Sequence, residues 1–314
     1  MKITRKLTQE LHAPRGPSRR HVASMCQLSM MLDCCEGRGY NLQVDGPRTR
    51  AKLCSCVVNC GTCKGQARYL QSGVSLPCKD PSPMRVAASI NQASIPSRYG
   101  YSRLDKFSNF TGNGKSVAHK LDLWSRQYGS TKRGLILEGP VGAGKTYLLT
   151  ALVMSLAQRQ VSVKFADFFE LLTSLKSGYS NNKADDALIK PLIDVDVLVI
   201  DELGKGRNSD WELSVLDQLV MGRYNQNKII LASTNYSLKS KKMQPIHSSN
   251  LDHGNETGFR ETFDQTLEER VGQRIFSRLI ETCDLITLTG EDYRRRFLQP
   301  PMPKEPKMPR RPLS

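Results

Sequence analysis

The sequence contains no long run of apolar residues. No segment approaches the roughly 20 consecutive apolar residues that a helix needs to cross a bilayer. The residues that follow Met1 also lack the apolar core of a secretory signal peptide. These two absences predict a soluble protein that has no membrane partner.

Acidic residues are few relative to basic ones. The chain has 30 Asp and Glu against 46 Lys and Arg, which gives a formal net charge of +16. A basic chain favours polyanions as partners, and nucleic acid is the first of these. We expect a disordered basic arm at residues 1–25 and a disordered, Pro-rich basic tail at residues 299–314. Solvated tails without a ligand fit the same composition, and a transit peptide would also fit the arm.

A glycine-rich segment, EGPVGAGKT at residues 138–146, is the most specific feature of the chain. Apolar residues 134–137 precede it as a predicted buried strand, and residues 147–154 follow it as a predicted helix. The spacing G-x-x-x-x-G-K-T in this setting is typical of a loop whose backbone N–H groups surround a phosphate. The alternative interpretation is an ordinary glycine-rich turn before a core helix.

Within that loop, Lys145 is placed to reach the β- and γ-phosphates, and Thr146 is placed to hold Mg²⁺. The following helix would direct the positive end of its dipole at the phosphates. We therefore predict a site for ATP and Mg²⁺ that is formed by Gly139, Pro140, Val141, Gly142, Ala143, Gly144, Lys145 and Thr146.

Two adjacent acids follow a second apolar segment. Residues 195–200 predict a buried strand of a parallel sheet, and Asp201 and Glu202 come directly after it. Functional groups gather at the carboxyl ends of such strands. We predict that Asp201 binds Mg²⁺ opposite Thr146, and that Glu202 acts as the general base on an attacking water. A solvated strand end is the alternative.

Polar and aromatic residues elsewhere suggest further contacts with a nucleotide. The predicted strand at residues 228–235 ends in Asn235, whose amide could hydrogen-bond the water or the γ-phosphate. A strand-end Asn is also a common turn residue. Arg98 and Tyr99 precede the glycine-rich loop by about forty residues. They could cover an adenine base, although ordinary packing explains an aromatic residue there equally well.

The chain contains nine cysteines, most of them in its first quarter. A protein that binds ATP works in a reducing compartment, where clustered cysteines serve more often as metal ligands than in disulfides. Two close pairs with the spacing C-x-C-x₃-C-x₂-C suit a tetrahedral zinc site. We predict at least one Zn²⁺ bound by Cys54, Cys56, Cys60 and Cys63. Thiols without a metal are the alternative.

Four segments in chain order, GPVGAGKT, VLVIDE, ILASTN and RIFSRL, resemble the AAA+ ATPases. The resemblance is to the DnaC/IstB group of helicase loaders and transposition helpers. It implies an α/β fold, a three-layer αβα P-loop NTPase of the AAA+ type with a parallel five-stranded sheet, at residues 95–298. A small cysteine-rich zinc-binding region at residues 26–80 and a linker at residues 81–94, rich in Pro, Ser and Ala, are predicted to precede it.

The resemblance also assigns roles to arginines near the end of the chain. Residues 267–282 predict one helix, on which Arg270, Arg274 and Arg278 would form a single basic row. Arg278 matches the arginine finger that enters the ATP site of a neighbouring subunit, with Arg274 as the alternative. Arg294 matches a nucleotide-sensing arginine. The predicted catalytic set is therefore Glu202, Lys145, Asn235 and Arg278.

By this resemblance we expect a cytoplasmic ATPase that acts in DNA replication as a helicase loader. It would bind single-stranded DNA and a replicative helicase, and ATP would assemble it head to tail. A transposition helper that works with a transposase shares the same core motifs. Two other classes are a small-molecule kinase with the same phosphate loop, and a nucleic-acid-binding zinc module whose ATP site regulates binding. The paired acids and Asn235 argue against the kinase.

Overall fold

A computed structural model of the chain has a parallel β-sheet between two layers of helices, with two short β-hairpins ahead of it. It describes residues 35–294 except 37, 59–62, 65, 67, 78–81, 108–111, 181–184 and 239–264. The predicted basic arm and the predicted Pro-rich tail lie outside these residues. Within the described residues, no helix is long and apolar enough to cross a bilayer.

Two antiparallel hairpins make up the first part of the described chain. They are formed by β1 (Tyr40–Asp45) with β2 (Arg48–Leu53) and by β3 (Arg68–Gln71) with β4 (Val74–Pro77), and the one-turn helix α1 (Ser55–Val58) lies between them. Tyr40 and Ala51 of the first hairpin are buried in the main hydrophobic core. The first hairpin is therefore packed onto the larger sheet domain.

The predicted linker at residues 81–94 is wrong, because residues Ser82–Ala93 form a helix, α2. Its buried side chains recur at helical spacing, and they are Pro83, Met84, Val86, Ala87, Ile90 and Ala93. Pro83 lies in the first turn, where a backbone N–H has no helical partner to lose. The Asn91 side chain also pairs with the backbone N–H and C=O of Ala51 in β2, at 2.7 and 3.0 Å. The segment therefore contains the apolar stripe of a packed helix, although its Pro-, Ser- and Ala-rich composition suggests a linker.

Five parallel strands form the central sheet, in the order β6-β7-β8-β5-β9. The strands are β5 (Gly134–Glu138), β6 (Val163–Asp167), β7 (Val197–Asp201), β8 (Ile229–Thr234) and β9 (Cys283–Thr287). Each neighbouring pair is parallel, so all five carboxyl ends lie along one edge of the sheet. The prediction of a parallel five-stranded sheet is confirmed.

Alternate side chains of each strand face opposite layers of helices. In β5, Leu135 and Leu137 belong to one core, and Ile136 belongs to the other. The first layer holds α2, α3 (Gly114–Arg126) and α4 (Lys145–Gln158). The second layer holds α5 (Phe168–Ser180), α6 (Asp185–Asp194), α7 (Asp210–Asn225), α8 (Leu267–Val271) and α9 (Gln273–Thr282). Because apolar residues cover both faces, the strands read as continuous apolar runs in the sequence.

One arginine is fully buried in the second layer. Arg223, in the last turn of α7, donates hydrogen bonds to the carbonyl oxygens of Leu192, Ile193, Val195, Asp196 and Ile229. Burial lowers the pKa of Arg223 to about 10. The guanidinium thus joins the end of α6 to the beginnings of β7 and β8.

The predicted single helix at residues 267–282 is divided in the structure. Gly272, with φ of 82° and ψ of 149°, separates α8 from α9. A positive φ with that ψ ends a right-handed helix and changes its direction, and glycine adopts it without steric cost. The expectation that Arg270, Arg274 and Arg278 form one row is therefore wrong, since Arg270 lies on a separate helix.

Candidate functional site

The glycine-rich loop connects β5 to the first turn of α4, as the sequence predicts. Gly142 and Gly144 both have left-handed backbone angles, with φ of 79° and 101°. A Cβ at Gly142 would lie 1.8 Å from the Asp292 carboxylate, and one at Gly144 would lie 2.7 Å from the Phe107 ring. The loop therefore needs glycine at both positions for its backbone angles and for space.

Lys145 begins α4 and is almost completely buried. Its ammonium group donates hydrogen bonds to the carbonyl oxygens of Gly139 and Pro140, at 2.7 and 2.8 Å. Burial lowers the pKa of Lys145 to about 8, and the negative charges of Asp201 and Glu202 oppose that effect. The same loop that presents the lysine therefore encloses its charge beside the two predicted acids.

Asp201 ends β7 and is also buried, with 4% of its surface exposed. The hydroxyl groups of Ser233 and Thr146 hydrogen-bond to its carboxylate. Burial raises the pKa of Asp201, and these two hydroxyl groups partly offset the increase. The structure thus brings together Thr146 and Asp201, the two residues that the sequence predicts as Mg²⁺ ligands. A carboxylate and a hydroxyl are oxygen ligands of the kind that Mg²⁺ prefers.

Glu202 follows Asp201 with an unusual backbone conformation. Its φ of 56° lies in the left-handed region, which costs energy for a residue with a side chain. The Glu202 N–H donates to the Ser233 hydroxyl at 3.0 Å, and the Glu202 carboxylate accepts from the Lys205 ammonium. About a third of the carboxylate side chain remains exposed. Glu202 is therefore anchored at its backbone and accessible at its carboxylate.

Ser233 is a site residue that the sequence analysis missed. Its hydroxyl donates to the Asp201 carboxylate and accepts from the Glu202 N–H, so it joins both acids. Ser233 is fully buried in β8, two residues before Asn235. The signal in the sequence is a polar residue at the end of an otherwise apolar strand.

These residues border one cleft with a volume of about 460 Å³. Glu202, Ser233 and the exposed Asn235 lie along it, together with residues 141–146 of the loop. The remaining lining residues are Tyr147 of α4 and, from other parts of the chain, Arg98, Tyr99, Lys106, Phe107, Glu291, Tyr293 and Arg294. The structure therefore brings Arg98, Tyr99 and Arg294 to the same cleft as the glycine-rich loop.

Aromatic rings form part of the wall of the cleft. Phe107 and Tyr147 have ring centroids 5.4 Å apart, and the Phe107 ring covers Gly144. The Tyr293 N–H donates to the carbonyl oxygen of Gly142 at 3.2 Å. Phe107 follows Tyr99 in the aromatic and apolar segment that, from the sequence, could cover a base, whereas Tyr293, which lies far from the loop in sequence, is not predicted. A planar apolar base would fit against such a wall.

The two candidate finger arginines lie elsewhere. The Arg278 guanidinium stacks 4.6 Å from the ring centroid of Tyr224, and it pairs with Glu281 at 3.4 Å. Arg274 is 70% exposed and lies 3.4 Å from an Asp217 oxygen. Neither arginine is among the residues that line the cleft of its own chain. An action of either on a second subunit stays a prediction.

The zinc prediction also stays a prediction. Cys54 and Cys63 are buried, while Cys60 and the side chain of Cys56 lie outside the described residues. The Gly39 N–H donates to the Cys35 sulfur at 3.3 Å. Across the residues that are described, no group of three or more Cys, His, Asp or Glu side chains is placed to hold a metal ion.

Known proteins resemble this chain over its central part. An ATP-binding protein of insertion sequence IS232 from Bacillus thuringiensis is 24% identical over 55% of this chain and 60% of its own. The replicative helicase loader DnaC of Buchnera aphidicola is 25% identical over 55% of this chain and 61% of its own. The chain thus spans about three fifths of the length of these relatives.

A crystal structure of the DnaC helicase loader is 26% identical, with a TM-score of 0.49, and the match covers 61% of this chain and 99% of that one. Residues 84–243 match the sequence model of the family described as IstB-like ATP binding protein. That match spans 160 of the 314 residues, which is just over half of the chain. The protein therefore belongs to the IstB-like ATP-binding protein family.

Proposed function

We propose that this protein binds ATP with Mg²⁺ and hydrolyses it in the cleft between the glycine-rich loop and Asp201. The observation that carries the proposal is the convergence of Lys145, the Thr146–Asp201 contact, Glu202 and Asn235 on one cleft. These residues come from the ends of two neighbouring strands, β7 and β8, and from the first turn of α4. A glycine-rich turn with a merely structural role has no need of that convergence.

The roles follow from the chemistry of each group. The N–H groups of the loop and the Lys145 ammonium bind the phosphate oxygens. Thr146 and Asp201 would hold Mg²⁺, which when bound neutralises charge on the phosphates. Glu202 accepts the proton of the attacking water, and Asn235 orients that water by a hydrogen bond. The partly exposed carboxylate of Glu202 is compatible with this role, since water can reach it.

A binding titration with Lys145→Ala tests the assignment of the site. Loss of a charged contact worth about 3 kcal/mol should weaken ATP binding by about 100-fold. Lys132→Ala is a suitable control, because Lys132 is exposed and does not line the cleft. Equal ATP affinity in Lys145→Ala and the unaltered protein would reject the site.

We further infer that the ATPase serves as a helicase loader on single-stranded DNA. Relatives named as helicase loaders and the net charge of +16 support this role. Head-to-tail contacts would place Arg278 of one subunit at the ATP site of the next. A pull-down of the host replicative helicase in ATP and in ADP tests the role. Capture that depends on the nucleotide supports it, and absence of capture with either nucleotide rejects it.

A transposition helper is the second candidate function. The family match and the insertion-sequence relatives favour it. In that case the partner is a transposase, and the DNA is a double-stranded target. ATP-dependent binding to a duplex, with no binding to single strands at the same salt concentration, would support the helper over the loader.

Zinc binding is proposed separately, on the spacing of Cys54, Cys56, Cys60 and Cys63. The site would belong to the hairpin region that precedes the family match. Metal analysis of purified protein should find at least one zinc ion per chain. A protein that is folded and free of zinc would reject the proposal.

A further inference from the structure

We propose that Arg270 is a positioning residue for ATP hydrolysis, although it lies outside the cleft. It holds the loop that follows Glu202 and the residue that follows Asn235, and through them it places both side chains at the γ-phosphate. The inference rests on the proposed function, since it concerns the same ATP site. Neither the family match nor the sequence motifs assign a role to this residue.

The break at Gly272 gives Arg270 a position different from those of the other two arginines. Arg274 is largely exposed on α9, and Arg278, four residues further along that helix, stacks on Tyr224. Arg270 lies on α8, where its side chain is directed into the protein. It donates hydrogen bonds to residues 204 and 206, more than sixty positions earlier in the chain, and a longer one of 3.4 Å to the side chain of Gln265.

The first contact of Arg270 is with the loop after Glu202. Its Nε donates to the carbonyl oxygen of Gly204 at 2.9 Å, and a terminal nitrogen donates to the carbonyl oxygen of Gly206. Gly204 has φ of 88°, and a Cβ there would lie 3.2 Å from the Arg270 Cβ. The planar guanidinium thus fixes two carbonyl groups of one short loop, which a flexible ammonium would do less well.

The second contact is with the residue after Asn235. The Arg270 guanidinium lies 5.2 Å from the ring centroid of Tyr236, within the range of a cation–π interaction. The Tyr236 N–H donates to the Thr234 hydroxyl, which donates in turn to the Leu203 carbonyl oxygen, both at 3.1 Å. One arginine therefore joins the chain segments that carry Glu202 and Asn235.

The strained backbone of Glu202 explains why the contacts of Arg270 matter for its position. Glu202 has φ of 56°, a conformation that persists only when the surrounding structure enforces it. Ser233 anchors the Glu202 N–H on one side, and Arg270 anchors residues 204 and 206 on the other. Loss of the Arg270 contacts would let the Glu202 carboxylate move, while the phosphate contacts of the glycine-rich loop remain. Turnover should therefore fall more than ATP affinity.

The test compares Arg270→Gln and Arg270→Lys with Arg207→Gln, an exposed arginine of the same loop. We measure the ATP dissociation constant, kcat and the melting temperature of each protein. Arg270→Gln should lower kcat by about 10- to 100-fold, because small displacements of a reacting group are costly. Its ATP affinity should stay within about threefold of the unaltered protein. Arg270→Lys should be intermediate, and Arg207→Gln should be unchanged.

If Arg270→Gln does not fold, two substitutions of Tyr236 test the same positioning role. Tyr236→Phe keeps the ring under the guanidinium and should retain turnover, whereas Tyr236→Leu should lose several-fold of kcat with ATP still bound. Unaltered protein without any ATP turnover would overturn the proposed function. Unaltered protein that is active, with Arg270→Gln or Tyr236→Leu equally active, would overturn this inference alone.

Discussion

Lys145 holds its ammonium group in a buried position, where a charge is energetically unfavourable. It is 7% exposed, and burial lowers its pKa to about 8. The unfolded chain releases the same proton near pH 10.4, so between these values the unfolded chain binds more protons than the folded one. Stability attributable to Lys145 is therefore lowest below pH 8 and rises as the pH approaches 10.4. The Lys145 ammonium group, which would bind phosphate, therefore destabilises the folded protein when no nucleotide is bound.

Replacement of Lys145 by Met should stabilise the nucleotide-free protein while it abolishes ATP binding. The expected gain at pH 7 is about 1–3 kcal/mol, because a depressed lysine pKa measures the cost of burying the charge. The gain should shrink between pH 8 and 10.4. Melting temperatures across this range measure it, with Lys132→Met as the exposed control. A Lys145→Met protein less stable than the unaltered one at pH 7 would contradict this assignment.

Ser233 shows how one hydroxyl can organise two acids. It hydrogen-bonds the Asp201 carboxylate and the Glu202 N–H from a fully buried position in β8. Ser233→Ala removes a hydrogen bond to a charged group, worth about 1.5–3 kcal/mol. We expect a higher Mg²⁺ concentration at half-maximal turnover, with Ser233→Thr closer to the unaltered protein. A magnesium titration at saturating ATP measures this, and identical midpoints for the three proteins would contradict it.

Among the elements, α2 is the helix whose amino-acid composition suggests a linker instead. Ile90 is fully buried in the main core, whereas Arg85 on the same helix is exposed. Ile90→Ala should destabilise the whole sheet domain by about 2–5 kcal/mol, as for other large-to-small core substitutions. Arg85→Ala should change stability little. Urea unfolding monitored by circular dichroism measures both, and an unaffected Ile90→Ala protein would restore the linker interpretation.

The end of α7 depends on Arg223 in a way that a lysine could not reproduce. Five carbonyl oxygens accept from its two terminal nitrogens. Arg223→Lys leaves several of these buried carbonyls unpaired, at about 1–3 kcal/mol for each group that is left without a partner. We expect a fall of several °C in melting temperature by calorimetry. A change no larger than that of the exposed control Arg126→Lys would contradict the structural role.

The predictable elements are those with strong local signals. The glycine-rich loop follows from glycine and lysine at fixed spacing, and β5, β7 and β8 follow from continuous apolar runs before it and beside it. The break at Gly272 could not be predicted, because an isolated glycine inside an apolar repeat is often tolerated within a helix. Tyr293 and Ser233 reach the cleft through tertiary packing, which leaves no regular spacing in the sequence.

For the whole molecule, the proposed head-to-tail assembly would complete each ATP site with an arginine of the neighbouring subunit. Arg278 is held by Tyr224 and Glu281 on a surface that does not border its own cleft. A finger that acts between subunits predicts complementation. Lys145→Ala subunits supply a finger without an ATP site, and Arg278→Ala subunits supply an ATP site without a finger.

Each variant alone should lose at least about 100-fold of turnover, because an arginine finger contributes 10³ or more to phosphoryl transfer. A mixture of the two should regain turnover that neither has alone. Arg274→Ala in place of Arg278→Ala serves as the matched comparison. A mixture no more active than its separate components would place the finger within the same chain or at another residue.

In the proposed mechanism, ATP is held by the glycine-rich loop and is hydrolysed with Glu202 as the base. Single-turnover measurement of ATP cleavage by Glu202→Gln, alongside direct titration of ATP binding, tests it most directly. We predict ATP affinity like that of the unaltered protein and a cleavage rate lower by about 100-fold or more. Cleavage by Glu202→Gln at the unaltered rate would show that Glu202 is not the base.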